Sequence, residues 1–173
     1  MTIYKSELST PSKDSVYVVP PKGGFNVDIL LGNPASLFHS LLLQYVPDAK
    51  YDMEQFAKCL AFEVPIAAAF HLYRLNESVV HVYWDTLTKQ PRLTNASVGD
   101  YLTSMQSSTN AEKFDANILN VLDQINKLHR NPVLHPEINL TAEDALELFG
   151  IINSAISCMV REIDSLERRK MAS

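Results

Sequence analysis

Apolar residues recur at three- and four-residue intervals along most of this chain, and this spacing is typical of helices that bury one face. The longest stripe begins after Thr141, which together with Asp144 matches an N-terminal cap signal. The apolar members of this stripe are Ala145, Leu148, Phe149, Ile152, Ala155, Ile156, Met159 and Ile163. An earlier stripe consists of Phe114, Ile118, Val121, Leu122, Ile125 and Leu128. The sequence therefore predicts an all-α fold, a four- to five-helix up-and-down bundle with short connections.

Prolines and a second cap signal set the expected limits of the other helices. Pro34 suits the first turn of a helix, and apolar residues follow it at helical spacing. The next apolar segment runs from about residue 52 to residue 87, and Pro65 is expected to kink or divide it. A short helix over residues 98–105 is expected to be capped by Ser97.

Residues 1–34 differ in composition from the rest of the chain. They hold four of the nine prolines and three of the five glycines. Within them, residues 15–19 have the composition of a short strand, which Pro20 and Pro21 would end. We therefore predict an extended N-terminal arm over residues 1–34, packed on the body or on a partner chain, and a helical bundle over residues 35–173.

The overall composition excludes several classes of protein. Hydrophobic residues make up 46% of the 173 residues, which is too many for a disordered chain. A net charge of −5 argues against a protein that coats nucleic acid through bulk positive charge, and no DNA partner is expected. Cys59 and Cys158 lie in apolar segments, which favours reduced thiols over a disulfide. The polar start of the chain, and the lack of an apolar run of about 20 residues, predict a cytoplasmic protein without membrane contacts.

The hexapeptide Arg130-Asn131-Pro132-Val133-Leu134-His135 joins the two apolar stripes. Pro132 removes a backbone donor and disfavours helix at Asn131, so Arg130 is expected to end a helix. Arginine is a permanent cation that bridges phosphate oxygens, and histidine titrates near neutral pH. These properties suit RNA cleavage by the substrate's own 2′-hydroxyl, and the catalytic candidates are Arg130 for the phosphorane, His135 as base or acid, and Asn131 for orientation. One copy offers one proton-transfer group, so a complete site is expected to need two copies in a homodimer.

Structural explanations of the same residues stay open. Arg130 and Asn131 suit the C-terminal end of a helix, and His135 suits an ordinary loop. His129, His135 and Glu137 form a weak set of candidate metal ligands around a proline turn. We therefore expect neither a metal site nor a cofactor.

A further polar set lies upstream, where His71, Arg74 and Glu77 follow one another at three-residue intervals. This spacing places them on one helix face. A surface ion pair between Arg74 and Glu77 is the simplest interpretation. The neighbouring aromatic residues are expected in an aromatic core or a dimer contact rather than stacked on bases, and they are Tyr73, Tyr83 and Trp84.

The segment from residue 128 to residue 137, followed by a capped amphipathic helix, resembles the HEPN superfamily of all-helical domains. The signature of that superfamily is an arginine, a polar residue and a histidine at four-to-six-residue spacing, between the last two long helices. Arg130, Asn131 and His135 match it in type, order and position. Residues 67–77 are also similar to the second helix of bacterial members. The resemblance covers about residues 35–168 at the level of helix order.

The resemblance implies a metal-independent endoribonuclease, as many members are, often in toxin, phage-defence or RNA-processing systems. Active members dimerise so that both Arg/His sets share one cleft, which implies RNA as substrate and a homodimer. Other members are non-catalytic modules that bind nucleotides or proteins. Glu137 stands where the minimal toxin subtype has tyrosine, and its charge favours this second function. A plain helical dimer without a ligand site is a third alternative.

Overall fold

Most of the described chain is helical, as the apolar spacing predicts. The computed structural model describes residues 2–6, 15–19, 26–130 and 139–172, with side chains described over 26–127 and 139–172. Two strands, β1 (Thr2–Ser6) and β2 (Ser15–Val19), pair antiparallel. The helices are α1 (Val27–Gly32), α2 (Leu42–Tyr45), α3 (Ala49–Ala61), α4 (Pro65–Thr88), α5 (Val98–Gln106), α6 (Ala116–Gln124) and α7 (Ala142–Met171). Turns of 3₁₀ helix occupy Pro34–Leu37 and Ala111–Lys113, and a π-helical turn occupies Ile125–Arg130.

The N-terminal region is more regular than its composition predicts. Strand β2 covers the five residues for which a strand is predicted. The extended conformation expected for residues 1–34 is wrong at α1, which packs on α3. Asn26 caps α1 through its side chain, and Val27 and Leu30 bury its inner face, so one cap and two apolar residues are enough for this short helix. The domain boundary after residue 34 stays a prediction.

The helix predicted after Pro34 is interrupted at Phe38. A 3₁₀ turn precedes this residue and α2 follows it, while Phe38 itself has extended backbone with φ −113° and ψ 172°. Its buried ring packs edge-on against Phe56 and Phe149, with centroid distances of 6.1 and 5.4 Å. Contacts with α3 and α7 thus favour a break that the local spacing does not show.

Pro65 divides the long apolar segment, which is one of the two outcomes predicted for it. Helix α3 ends at Ala61, and α4 begins at Pro65, where the missing N–H has no helical partner to lose. Glu63 between them has a φ of 57°, in the left-handed region that tight turns use. The short turn makes α3 and α4 antiparallel neighbours.

Helix α4 lies at the centre of the core and packs on both α3 and α7. All members of the predicted α7 stripe are buried, which confirms that this face turns inward. Tyr83 and Trp84 are also buried, as expected of an aromatic core. Burial, and the hydrogen bond that its hydroxyl donates to Glu162, raise the pKa of Tyr83. Across the described ranges, no helix is both long enough and apolar enough to span a membrane.

We expect Thr141→Ala to lower the free energy of unfolding by about 1 kcal/mol, because it removes the cap of α7. The Thr141 hydroxyl accepts the N–H of Asp144 at 3.1 Å, and the Asp144 carboxylate accepts the N–H of Thr141 at 2.8 Å. Urea denaturation followed by circular dichroism measures the loss.

Thr103→Ala is the matched control for this change. The exposed Thr103 hydroxyl donates to the Gly99 carbonyl within α5, and its loss should change stability by about 0.5 kcal/mol or less. Equal losses in the two variants would contradict a capping role.

Hydrogen bonds from Thr141 lower the pKa of Asp144, so the contribution of the Asp144 carboxylate to the cap is present at neutral pH and is lost as the pH falls below about 4.

Candidate functional site

The predicted hexapeptide lies between the π-helical turn and α7. Arg130 is the last residue of that turn, and the expected helix end at Arg130 stays a prediction because the next residues lie outside the described part of the chain. The side chain of Arg130, together with Asn131 and His135, lies outside the described residues. The chain is described again from residue 139, and α7 begins after its cap at Thr141. In the sequence, the motif thus lies between the described π-helical turn and α7.

The helix that leads to Arg130 changes its geometry just before the motif. Asp115 caps α6 by accepting the N–H of Asn117 at 2.7 Å, and the apolar stripe then turns inward. After Gln124 the α-helix widens into the π-helical turn. Such turns are rare and occur frequently at functional sites. The apolar spacing gives no sign of this change, so it could not be predicted from the stripe.

Helix α5 supports the π-helical turn from the side. A Cβ atom placed on Gly99 would lie 3.2 Å from Nδ2 of Asn126, so a larger side chain at position 99 would press on the turn. Lys127, three residues before Arg130, forms an ion pair of 2.8 Å with Asp123 one turn earlier. This pair offsets the positive charge of Lys127.

A second arginine and histidine are described in full, between α3 and α4. Nδ1 of His71 lies 2.8 Å from Oδ1 of Asp52. Nε of Arg74 donates to both oxygens of the same carboxylate, at 2.9 and 3.2 Å. The Asp52 side chain is only 6% exposed, compared with 19% for His71 and 53% for Arg74. A buried carboxylate therefore holds two basic groups at the surface.

This cluster corrects the sequence interpretation of Arg74, whose ion-pair partner is Asp52 and not Glu77. The spacing of His71, Arg74 and Glu77 along α4 could not reveal Asp52, because Asp52 lies on α3. A usable signal was present: Asp52 occupies an inward position in α3, beside Met53 and one turn before Phe56. A carboxylate in such a stripe needs a partner on the neighbouring helix.

A groove of about 550 Å³ lies between α6 and α7. Its wall mixes apolar residues with charged ones, among them Arg161 and Glu162. Nη2 of Arg161 lies 3.3 Å from Sγ of Cys158, and Glu162 accepts the hydroxyl of Tyr83. Arg161 and Glu162 thus each already have a hydrogen-bond partner, and nothing in the sequence pattern pointed to this groove.

Two further histidines have structural surroundings. The ring of His81 lies 4.8 Å from that of Tyr101, and burial lowers the pKa of His81, which favours the neutral ring. Nδ1 of His39 accepts the N–H of Leu41 at 3.3 Å. His71 and Arg74 differ from both, because they are hydrogen-bonded to one shared carboxylate.

Comparison of the chain with protein-family models, with curated proteins and with solved structures gives no match. The likeness to HEPN domains therefore stays a prediction from the hexapeptide and the order of the helices.

Proposed function

We propose that the chain is an up-and-down HEPN-like bundle and a metal-independent endoribonuclease that acts as a homodimer in the cytoplasm, in a defence or toxin system. The observation that carries this proposal is the π-helical turn Ile125–Arg130, which leads into the hexapeptide. Such turns occur frequently at functional sites. After the hexapeptide, α7 begins at Ala142 with Thr141 as its cap.

The proposed reaction uses groups that the motif supplies twice in a dimer. His135 of one protomer takes the proton of the 2′-hydroxyl, and the O2′–P bond forms. Arg130 stabilises the phosphorane, and Asn131 orients the phosphate or the histidine. The P–O5′ bond then breaks, and the partner subunit's His135 protonates O5′. The products are a 2′,3′-cyclic phosphate and a 5′-hydroxyl.

RNA incubated with the wild-type protein in excess EDTA should be cut, because no step of this reaction needs a metal ion. Mass spectrometry should find 2′,3′-cyclic phosphate and 5′-hydroxyl ends. A substrate with one 2′-deoxynucleotide at the cleavage site should stay intact there, while neighbouring sites are still cut. Products with 3′-hydroxyl ends would contradict the mechanism, as would cleavage that persists at the deoxy position.

A non-catalytic, HEPN-like assembly module is the second candidate function. A group of exposed apolar side chains near the α3–α4 turn favours it, because exposed apolar patches mark interaction surfaces. These side chains are Phe62, Val64, Ile66 and Phe70. A dimer that leaves a diverse RNA pool intact in the same assay would favour this function over cleavage.

A further inference from the structure

The Asp52, His71 and Arg74 cluster has hydrogen-bonding capacity that the fold does not use. Of the Arg74 nitrogens, Nε donates to Asp52. Within the described ranges the two terminal nitrogens have no hydrogen-bond partner. His71 contacts Asp52 through Nδ1, and its Nε2 has no hydrogen-bond partner among the described residues. A guanidinium fork and an imidazole nitrogen therefore stay available on one face of α4.

The buried carboxylate fixes the direction of both groups. Because a carboxylate only accepts hydrogen bonds, Nδ1 of His71 must carry a proton and donate it to Asp52. Arg74 contacts both oxygens of the same carboxylate, so its guanidinium is held as well. The two residues lie one turn apart on α4, and a ligand atom can reach both of them. Asp52 is thus a positioning residue.

Two exposed aromatic rings flank these groups. Tyr51 is 60% exposed and Phe70 is 45% exposed. Each ring stands edge-on to His71, with centroid distances of 6.0 and 5.7 Å. The guanidinium carbon of Arg74 lies 5.8 Å from the centre of the Phe70 ring. Apolar ring faces therefore border the free hydrogen-bond donors.

We propose that this cluster binds a phosphate monoester of a molecule that also contains an aromatic ring. The guanidinium fork takes two phosphate oxygens, and His71, when protonated, donates to a third through Nε2. A carboxylate ligand has two oxygens, which the terminal nitrogens of Arg74 can bind without His71. The three oxygens of a phosphate can contact both Arg74 and His71. The ring of the ligand stacks beside Tyr51 or Phe70. Arg74 carries a permanent positive charge beside the free nitrogens, which favours an anionic ligand.

The direct test is a titration of the wild-type protein with phenyl phosphate, followed by NMR of the His71 ring and of the Arg74 Nε–H. Both signals should shift and saturate. Inorganic phosphate should shift them with weaker affinity, and phenol should leave them unchanged. Uridine 5′-monophosphate and phosphotyrosine, as further titrants, distinguish a nucleotide source of the phosphate from an amino-acid source.

Matched variants separate this site from general surface charge. Arg74→Gln should weaken binding of phenyl phosphate by at least about tenfold. Arg92→Gln should leave it within about twofold, since Arg92 is 51% exposed and contacts Asp85 through Nε at 2.8 Å, and Asp85 is not hydrogen-bonded to a described histidine as Asp52 is. Tyr51→Leu should weaken binding of phenyl phosphate while binding of inorganic phosphate is kept.

The proposal is overturned if phenyl phosphate gives no saturable shift of His71 up to about 10 mM. It is also overturned if Arg74→Gln and Arg92→Gln weaken binding equally. The wild-type titration and the exposed Tyr51 variant keep the test valid if the loss of Arg74 harms folding. His135→Ala should bind phenyl phosphate as the wild type does, so failure of the ribonuclease proposal and failure of this one are distinguishable.

Discussion

His135→Ala should lower the rate of RNA cleavage by about 10²- to 10⁴-fold, the usual contribution of a positioned acid or base. Arg130→Ala should cause a loss of about 10²- to 10³-fold, because the phosphorane loses its fixed cation. Single-turnover cleavage of a labelled RNA measures both rates. The helical circular dichroism spectrum and the dimer should persist, because the motif lies outside the α7 stripe that forms the core.

Lys127→Ala is the matched control for the arginine variant. Lys127 lies in the same π-helical turn, but its charge is paired with Asp123. Its removal should change the cleavage rate only a few-fold, the effect expected for a screened surface charge. Losses of equal size in the Lys127 and Arg130 variants would indicate non-specific attraction of RNA and would contradict a catalytic arginine.

Mixed dimers test whether the site is shared between protomers. Dimers of Arg130→Ala contain two copies of His135 and none of Arg130. Dimers of His135→Ala contain two copies of Arg130 and none of His135. A mixed dimer has one of each, so mixing the two inactive variants should restore part of the activity. A mixture that stays as inactive as its components after subunit exchange would show that one Arg130 and one His135 from opposite protomers do not make an active site.

The features that could be predicted from the sequence are those determined within a few residues. The two capping boxes are examples: the Ser97 and Thr141 hydroxyls meet aspartates three residues later, as their spacing indicates. Pro65 divides its segment because a proline suits the first helical position. Each of these depends on local backbone chemistry.

The features that sequence reasoning missed depend on contacts between distant segments. Phe38 leaves helical backbone because its ring meets Phe56 and Phe149, which are far away in sequence. Arg74 pairs with Asp52 across two helices, a partner that spacing along α4 cannot reveal. Of the predicted catalytic residues, only the backbone of Arg130 lies in the described part of the chain, so the roles of Arg130, Asn131 and His135 stay predictions.

Phe56→Ala should be among the most destabilising single changes in this protein, with a loss of about 3–5 kcal/mol in the free energy of unfolding. The Phe56 ring is fully buried. It stacks on Phe149 of α7 at a centroid distance of 5.1 Å and receives the edge of Phe38 at 6.1 Å. Its removal leaves a cavity where three segments meet. Since folded domains are stable by only about 5–15 kcal/mol, urea denaturation should show a much lower midpoint.

Phe70→Ala is the matched control, because it removes the same side chain from the neighbouring helix. The Phe70 ring is 45% exposed, and its described neighbours are His71 and Arg74. Its loss should lower the free energy of unfolding by about 1 kcal/mol or less. Similar losses in the two variants would mean that Phe56 does not join α3 to α7. A large loss at Phe56 alone would show that burial sets the energetic contribution of each phenylalanine. Phe70 would then be a residue whose exposed ring stabilises the fold little and is free to contact a ligand.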